Sequence, residues 1–189
     1  MGIDIYLHVY LMNNMEMKVN DKCYEIIKLL GKGKGGYSYL AKGDMGLVVL
    51  KQIHHEPCSY YNFGNKIESE LNDYKRLKDT GINIPLMIDI DIKEERIVKE
   101  YIDGDTILES LLKNNSVEKY YNQVFDMQNK VRSKGLNIDY FPTNFVIKND
   151  KLYYIDYECN EYSDTWNFDN WGIKYWSFTK ELEEYLKNH

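Results

Sequence analysis

This sequence contains no Cys-x-x-Cys pair, no tract of lysine and arginine, and no apolar stretch near the roughly 20 residues a helix needs to cross a bilayer. Its three cysteines, Cys23, Cys58 and Cys159, are far apart and odd in number, which argues against a disulfide framework or a thiolate metal site and fits a reducing cytoplasm. Lys and Arg total 24 against 30 Asp and Glu, a formal charge of −6, so the chain lacks an electrostatic footprint for nucleic acid and no such partner is expected. Prolines number only 3 and glycines 12, which excludes collagen-like and low-complexity classes. What is present is 43% apolar residues in 189, enough for the core of one domain or of two small lobes sharing a cleft. The apolar segment from Ile5 to Met12 is short and has no basic flank, so it reads as a strand or surface extension, not a signal peptide or membrane anchor.

Hydrophobic spacing gives the elements. Cys23 to Leu30 and Tyr37 to Ala41 are β-prone and flank Gly31-Lys32-Gly33-Lys34-Gly35-Gly36, a strand–glycine turn–strand pattern. Leu47-Val48-Val49-Leu50 makes a third strand ending in Lys51. Ile67, Leu71, Tyr74 and Leu77 form one apolar stripe on a helix from about residue 62 to 79, which Gly81 stops. Leu86 to Ile92 and Arg96 to Ile102 complete five strands. Thr106 and Glu109 have the spacing of a capping box for a short helix through Leu112. Val117, Tyr120, Val124, Met127 and Val131 mark a helix of about four turns. Leu136 to Asn144 reads as a loop, Phe145 to Ile155 as a hairpin, and Trp171, Tyr175, Phe178, Leu182 and Tyr185 as one aromatic-rich C-terminal helix. Trp166, Trp171 and Trp176 read as core residues, with an acceptor-binding wall as the alternative.

The pattern Gly31-x-Gly33-x-x-Gly36 lies between two strands, so it is not a Rossmann turn, and it lacks the Gly-Lys-Ser/Thr of a Walker loop. A flap whose backbone N–H groups lie over phosphates fits instead. Lys51 follows Gly33 by 18 residues, and a carboxylate on the next helix would hold its ammonium towards the phosphates, with Glu70 the choice and Glu68 the competitor. The neighbouring His54 and His55 have no ligand at metal-binding spacing and read as a surface pair.

At this point the sequence resembles the protein-kinase-like superfamily. Leu30 to Ala41 aligns on the kinase glycine-rich loop and Val48-Val49-Leu50-Lys51 is similar to the V-A-I-K strand. Lys99-Glu100-Tyr101-Ile102-Asp103-Gly104 resembles the hinge, Asp139-x-x-x-x-Asn144 the catalytic loop, and Asp156-Tyr157-Glu158 the DFG triplet. The resemblance implies an α+β bilobal fold: an N-terminal extension over 1–21, an N-lobe over 22–102 with a five-stranded antiparallel sheet and one helix, and a minimal helical C-lobe over 103–189. It implies ATP and Mg²⁺ as cofactors. Gly31, Gly33 and Gly36 would cover the phosphates, Lys51 would hold them, Glu70 would orient Lys51, and backbone groups of Glu100 and Ile102 would bind adenine. Asn144 and Asp156 would hold Mg²⁺, and Asp139 would accept or orient the acceptor's hydroxyl proton.

Departures narrow the type. Asn137-Ile138-Asp139 stands where protein kinases have His-Arg-Asp, Phe141 where Ser/Thr kinases place a lysine, Lys99 at the usually apolar gatekeeper position, and Glu158 for the DFG glycine. Only 33 residues follow Asp156, which leads us to expect a compact C-lobe. This resembles the compact atypical kinases of the RIO, KEOPS-complex and lipopolysaccharide-core types. Ile155-Asp156-Tyr157-Glu158 with Asn167-Phe168-Asp169-Asn170 is also similar to choline and aminoglycoside phosphotransferases. The expected partners are ATP and a hydroxyl-bearing acceptor, a Ser/Thr protein ahead of a small alcohol, with no nucleic acid and no membrane. A nucleotide-binding pseudokinase is the rival from another class.

Overall fold

The computed structural model describes residues 15–56 and 64–188. The Ile5 to Met12 segment and Cys58 lie outside the described residues. The chain divides into two compact units, one made of the residues up to Ser69 with Leu86–Tyr101, the other of Glu70–Pro85 with the residues from Ile102 onward. The architecture is mixed α+β and compatible with a kinase-like bilobal fold.

The first unit is a six-stranded antiparallel sheet in the order β1-β2-β3-β4-β6-β5. Its strands are β1 (Glu16–Val19), β2 (Lys22–Lys32), β3 (Gly36–Gly43), β4 (Gly46–Ile53), β5 (Met87–Asp91) and β6 (Arg96–Glu100). Six strands replace the five expected. The additional one, β1, is four residues long and shows burial only at Met17 and Val19, so its period-2 signal is brief. Asn20, at φ 52°, turns the chain back into β2; asparagine tolerates this left-handed conformation better than most residues. One face of the sheet packs Met17, Val19, Tyr24, Ile26, Ala41, Val48, Leu50 and Val98 into a single cluster.

Helix α1 (Lys66–Lys78) begins within the first unit, and from Glu70 onward belongs to the second. Ile67, Tyr74 and Leu77 of its expected stripe are buried, and Gly81 at φ +74° ends the segment. The second unit adds strand β7 (Asp105–Thr106), helix α2 (Ile107–Leu112), helix α3 (Tyr121–Ser133), strand β8 (Leu136–Ile138), the hairpin β9 (Phe145–Lys148) and β10 (Lys151–Tyr154), strand β11 (Cys159–Glu161) and helix α4 (Lys180–Asn188). The capping box is formed: the Thr106 hydroxyl accepts from Glu109 N–H at 3.0 Å, and the Glu109 carboxylate accepts from Thr106 N–H at 2.7 Å.

Two expectations are corrected here. Residues 136–138, read as loop, form β8 and pair antiparallel with β11, Ile138 opposite Cys159. The expected single C-terminal helix is a 3₁₀ turn over Gly172–Tyr175 followed by α4. Apolar spacing continues across the gap, but Trp176 leaves the helical path to bury its indole, and the Thr179 hydroxyl restarts the helix by accepting from Leu182 N–H at 3.2 Å. The core of this unit gathers aromatic rings around Trp176, whose centroid lies 5.1 Å from those of both Phe145 and Phe168.

Candidate functional site

In the first unit the glycine-rich segment is a tight hairpin, closed by Gly33 N–H donating to Gly36 C=O at 2.9 Å. Its glycines are not equivalent. A Cβ on Gly36 would stand 2.4 Å from the Gln52 carbonyl oxygen, so glycine there is demanded by the approach of β3 to β4. Gly31 and Gly33 face open space and have no left-handed backbone, so the unit's own packing does not require glycine at either position. The hairpin is anchored from its flank. His54 Nε2 is 3.0 Å from Gly33 C=O, and the buried Lys66 ammonium donates to Lys34 C=O at 3.1 Å and to His54 C=O at 2.5 Å. The histidine pair, read as a surface pair, thus has distinct partners, since His55 Nε2 lies 2.6 Å from the Glu95 carboxylate.

Ser38 pairs with Gly31 on one side and with Lys51 on the other. Residues paired across strands share a face of the sheet, so Lys51 stands two strand spacings, roughly 10 Å, from Gly31 on the face that Gly31 shares. Glu100 ends β6, its N–H donating to Leu86 C=O at 2.8 Å, and Lys99 is buried at 7% exposure opposite Val49.

A clasp that the sequence did not reveal flanks the glycine-rich hairpin. Glu56 accepts from the Lys32 ammonium at 2.7 Å and from the Tyr37 hydroxyl at 2.5 Å. These two donors, the lysine first, hold the Glu56 carboxyl down at about 2. The folded value lies below the ordinary one, so the clasp's contribution is complete above about pH 4.5 and is lost as pH falls through about 2. Because the group is exposed, salt weakens the contribution. A carboxyl-detected NMR titration is expected to give a Glu56 midpoint near 2 that moves towards 4.5 in Lys32→Ala. An unchanged midpoint in that variant would remove the lysine as the cause.

The second unit brings three of the expected residues together. Asp139 follows β8, and its Oδ1 accepts from Phe141 N–H at 3.0 Å, closing a turn. Asn144 donates through Nδ2 to Asp139 C=O at 3.3 Å, and Asn144 C=O accepts from Ile155 N–H at 2.9 Å. Asp156 therefore leaves the hairpin beside Asn144, and its own Oδ1 accepts from Tyr157 N–H at 2.8 Å. The residue that ties these loops together is Tyr154, which sequence reasoning missed. Fully buried, its hydroxyl accepts from Asp139 N–H at 3.4 Å and donates to Glu158 C=O at 2.9 Å. Burial, then the Asp156 and Asp139 charges, push its phenol well above the ordinary value, so it stays a neutral donor. The only signal for it is the double Tyr153-Tyr154 at the strand end, where alternation puts Tyr154 inward.

Glu70 is half-buried on α1, whereas Glu68 is exposed. Below Glu70 the same helix is fastened to the triplet. The Tyr74 and Tyr157 rings lie 4.8 Å apart, and the Cys159 thiol donates to Asp73 Oδ1 at 3.3 Å. Burial and the Asp73 carboxylate push that thiol up to about 12, so Cys159 is structural, not nucleophilic. Ile102, buried, belongs to this unit, and Glu100 to the first.

Asn144 and Asp156 offer one amide oxygen and one carboxylate. Among the described residues no group of three or more His, Cys, Asp or Glu side chains could form a protein-only metal cage. Two hard oxygen donors on adjoining loops suit Mg²⁺, which takes the rest of its shell from water and phosphate, and do not suit Zn²⁺. Among the described residues no helix is long and apolar enough to cross a membrane.

No family model matches the chain. Two curated relatives do. A KEOPS complex subunit Bud32 from Pyrococcus abyssi is 32% identical over 94 residues, 48% of this chain and 43% of that protein. A probable bifunctional tRNA threonylcarbamoyladenosine biosynthesis protein from Methanococcus vannielii is 32% identical over 89 residues, 47% of this chain and 16% of that protein. The chain thus spans less than half the length of either relative it matches. Over about half its length the chain is thus similar to a Bud32 protein and to a tRNA threonylcarbamoyladenosine biosynthesis protein, alongside an α+β architecture compatible with a kinase-like fold.

Proposed function

We propose that this protein is an ATP- and Mg²⁺-dependent phosphotransferase that moves the γ-phosphate of ATP to a hydroxyl group, with a serine or threonine of a protein as the acceptor. The observation that carries this reading is the joining of Asp139, Asn144 and Asp156 through Tyr154 and the Asn144–Ile155 hydrogen bond. In the reaction the bond from the γ-phosphorus to the bridging oxygen breaks and one to the acceptor oxygen forms. ADP leaves, and the acceptor's proton passes to the Asp139 carboxylate. Bound Mg²⁺ would neutralise phosphate charge, held by Asn144 and Asp156. Lys51 would bind the α- and β-phosphates, Glu70 would orient Lys51, Gly31, Gly33 and Gly36 would lie over the phosphates, and Glu100 and Ile102 would receive adenine through backbone groups. Phe141 offers no charge to the γ-phosphate where typical kinases place a lysine, so slow turnover is expected. The names of the two relatives tie one to the KEOPS complex and the other to tRNA threonylcarbamoyladenosine biosynthesis. We extend from them the expectation that this chain acts alongside partner proteins.

The test incubates the purified protein with γ-labelled ATP, Mg²⁺ and a cell extract, beside Asp156→Ala. Label in protein bands that vanishes in the variant supports the protein acceptor, and label in a soluble product moves the acceptor to a small alcohol. ATP binding without any transfer makes the protein a pseudokinase and overturns the proposal. Tyr154→Phe sharpens the positioning argument. Losing one hydroxyl from between the two loops is expected to lower kcat by about 10- to 100-fold with ATP affinity little changed, because misplacement of reacting groups costs rate before binding. A kcat equal to wild type would remove Tyr154 from the site.

A further inference from the structure

An open surface pocket of about 460 Å³ in the second unit is lined by the rings of Phe141, Trp171, Tyr175 and Tyr185 and by Glu181 and Glu184. We propose that it seats an alkylammonium group carried by the phosphate acceptor. The word acceptor rests on the phosphotransferase reading; the cation site does not.

Three observations on these residues lead there. The rings form a continuous wall: Phe141 lies 4.6 Å from Tyr185, 5.2 Å from Tyr175 and 6.4 Å from Trp171, and Trp171 lies 5.2 Å from Tyr175, centroid to centroid. Ring faces carry negative quadrupole charge and attract a cation that sheds its water easily, as an alkylated ammonium does. The two carboxylates supply net negative charge, which disfavours an anion and leaves a neutral apolar guest with no use for them. Glu181 and Glu184 stand one turn apart on α4, and Glu184 pairs with the exposed Lys180 ammonium at 3.8 Å, a loose contact a guest can displace. Four aromatic rings are no metal shell, and the volume suits a small organic group.

Position links the cavity to chemistry. Phe141 is two residues from Asp139, and its N–H is the donor to Asp139 Oδ1. One wall of the cavity and the proposed proton acceptor are therefore parts of one hydrogen-bonded turn. A cation held against Phe141 would bring a hydroxyl on a short neighbouring arm towards Asp139. The same arrangement gives Phe141 a role at a position where a lysine would repel such a guest. Of the three tryptophans considered as a possible acceptor wall, Trp171 takes that place; Trp176 is in the core, and Trp166, 56% exposed, stacks edge-on behind Trp171 at 5.8 Å.

The alkylammonium could come from a free amino alcohol or from a lysine side chain near the acceptor serine, and the experiment separates them. The first arm titrates the protein with tetramethylammonium, without ATP or Mg²⁺, following tryptophan fluorescence, and repeats the titration with tert-butanol as a neutral guest of similar size. Saturable binding of the cation, about tenfold tighter than the alcohol and weakened about tenfold or more in Glu181→Gln/Glu184→Gln, is expected. Both glutamates are exposed, so the variant should keep the wild-type melting temperature, which is measured alongside. Absence of saturable binding, equal binding of tert-butanol, or an unaffected double variant would overturn the site. The second arm supplies γ-labelled ATP with choline or with a serine peptide carrying an adjacent lysine. Transfer to either that tetramethylammonium inhibits supports the link to the acceptor and names its source, whereas transfer that the cation does not inhibit overturns that link. Failure of all transfer with cation binding intact counts against the phosphotransferase reading and not against the cavity.

Discussion

If the protein transfers phosphate as proposed, Asp139→Asn is expected to lower the transfer by about 10²- to 10⁴-fold, the range for losing a positioned general base, and to leave ATP affinity nearly unchanged. The substitution is chosen for shape. Asparagine keeps an oxygen that can accept from Phe141 N–H, now 3.0 Å from Asp139 Oδ1, so the turn and the aromatic wall attached to it are retained. What is lost is a charged oxygen able to take the acceptor's proton. Because Asn144 and Asp156, the proposed Mg²⁺ ligands, are untouched, metal and nucleotide binding should persist, and the effect should fall on kcat. Steady-state kinetics with a separate nucleotide titration check this. A loss in ATP affinity that matches the loss in rate would make Asp139 a structural residue of the loop, and an unchanged kcat would remove it from the reaction.

Trp176→Ala costs about 3–5 kcal/mol of folding free energy, the range for deleting a large ring from a packed interior. Trp176 is fully buried, and its ring contacts Phe145, Phe168 and Tyr121. Its indole N–H donates to Tyr140 C=O at 2.8 Å, so truncation opens a cavity and also leaves a buried carbonyl without its donor. Tyr140 is next to Asp139, and the damage reaches the candidate site through that carbonyl. Trp176→Phe refills much of the volume but not the hydrogen bond, and should cost about 1–3 kcal/mol. Urea unfolding of the three proteins measures both. Equal stability of Trp176→Phe and wild type would mean that the hydrogen bond contributes nothing net, and a loss below about 1 kcal/mol for Trp176→Ala would contradict the packing argument.

Much of the architecture was legible because periodicity and turn chemistry agreed. Ile67, Tyr74 and Leu77 announce α1, Thr106 and Glu109 announce the start of α2, and the glycine-rich turn announces the β2–β3 hairpin. What escaped was either short or tertiary in origin. β1 and β8 have too few residues for a period to emerge, and β8 is a strand only because β11, more than twenty residues later, pairs with it. The break before α4 is invisible to spacing, since Trp176 fits the helical stripe and leaves it for the ring cluster around Phe168. At the site, the spacing of Asn144 and Asp156 across a hairpin made their adjacency readable. Tyr154, which fastens their loops to Asp139, carries no motif, and only burial makes it a tether. The Glu56 clasp on Lys32 and Tyr37 was hidden for the same reason, as surface charges far apart in sequence carry no pattern.

Asp139, Asn144 and Asp156 are proposed to form a phosphate-transfer centre. Its most direct test counts ADP and phosphorylated acceptor in the same reaction with ATP and Mg²⁺, for wild type and Asp156→Ala. ADP and phosphorylated acceptor in equal amounts from wild type, and neither from the variant, are expected. ADP formation that survives Asp156→Ala, or ADP matched only by free phosphate, would contradict that proposal.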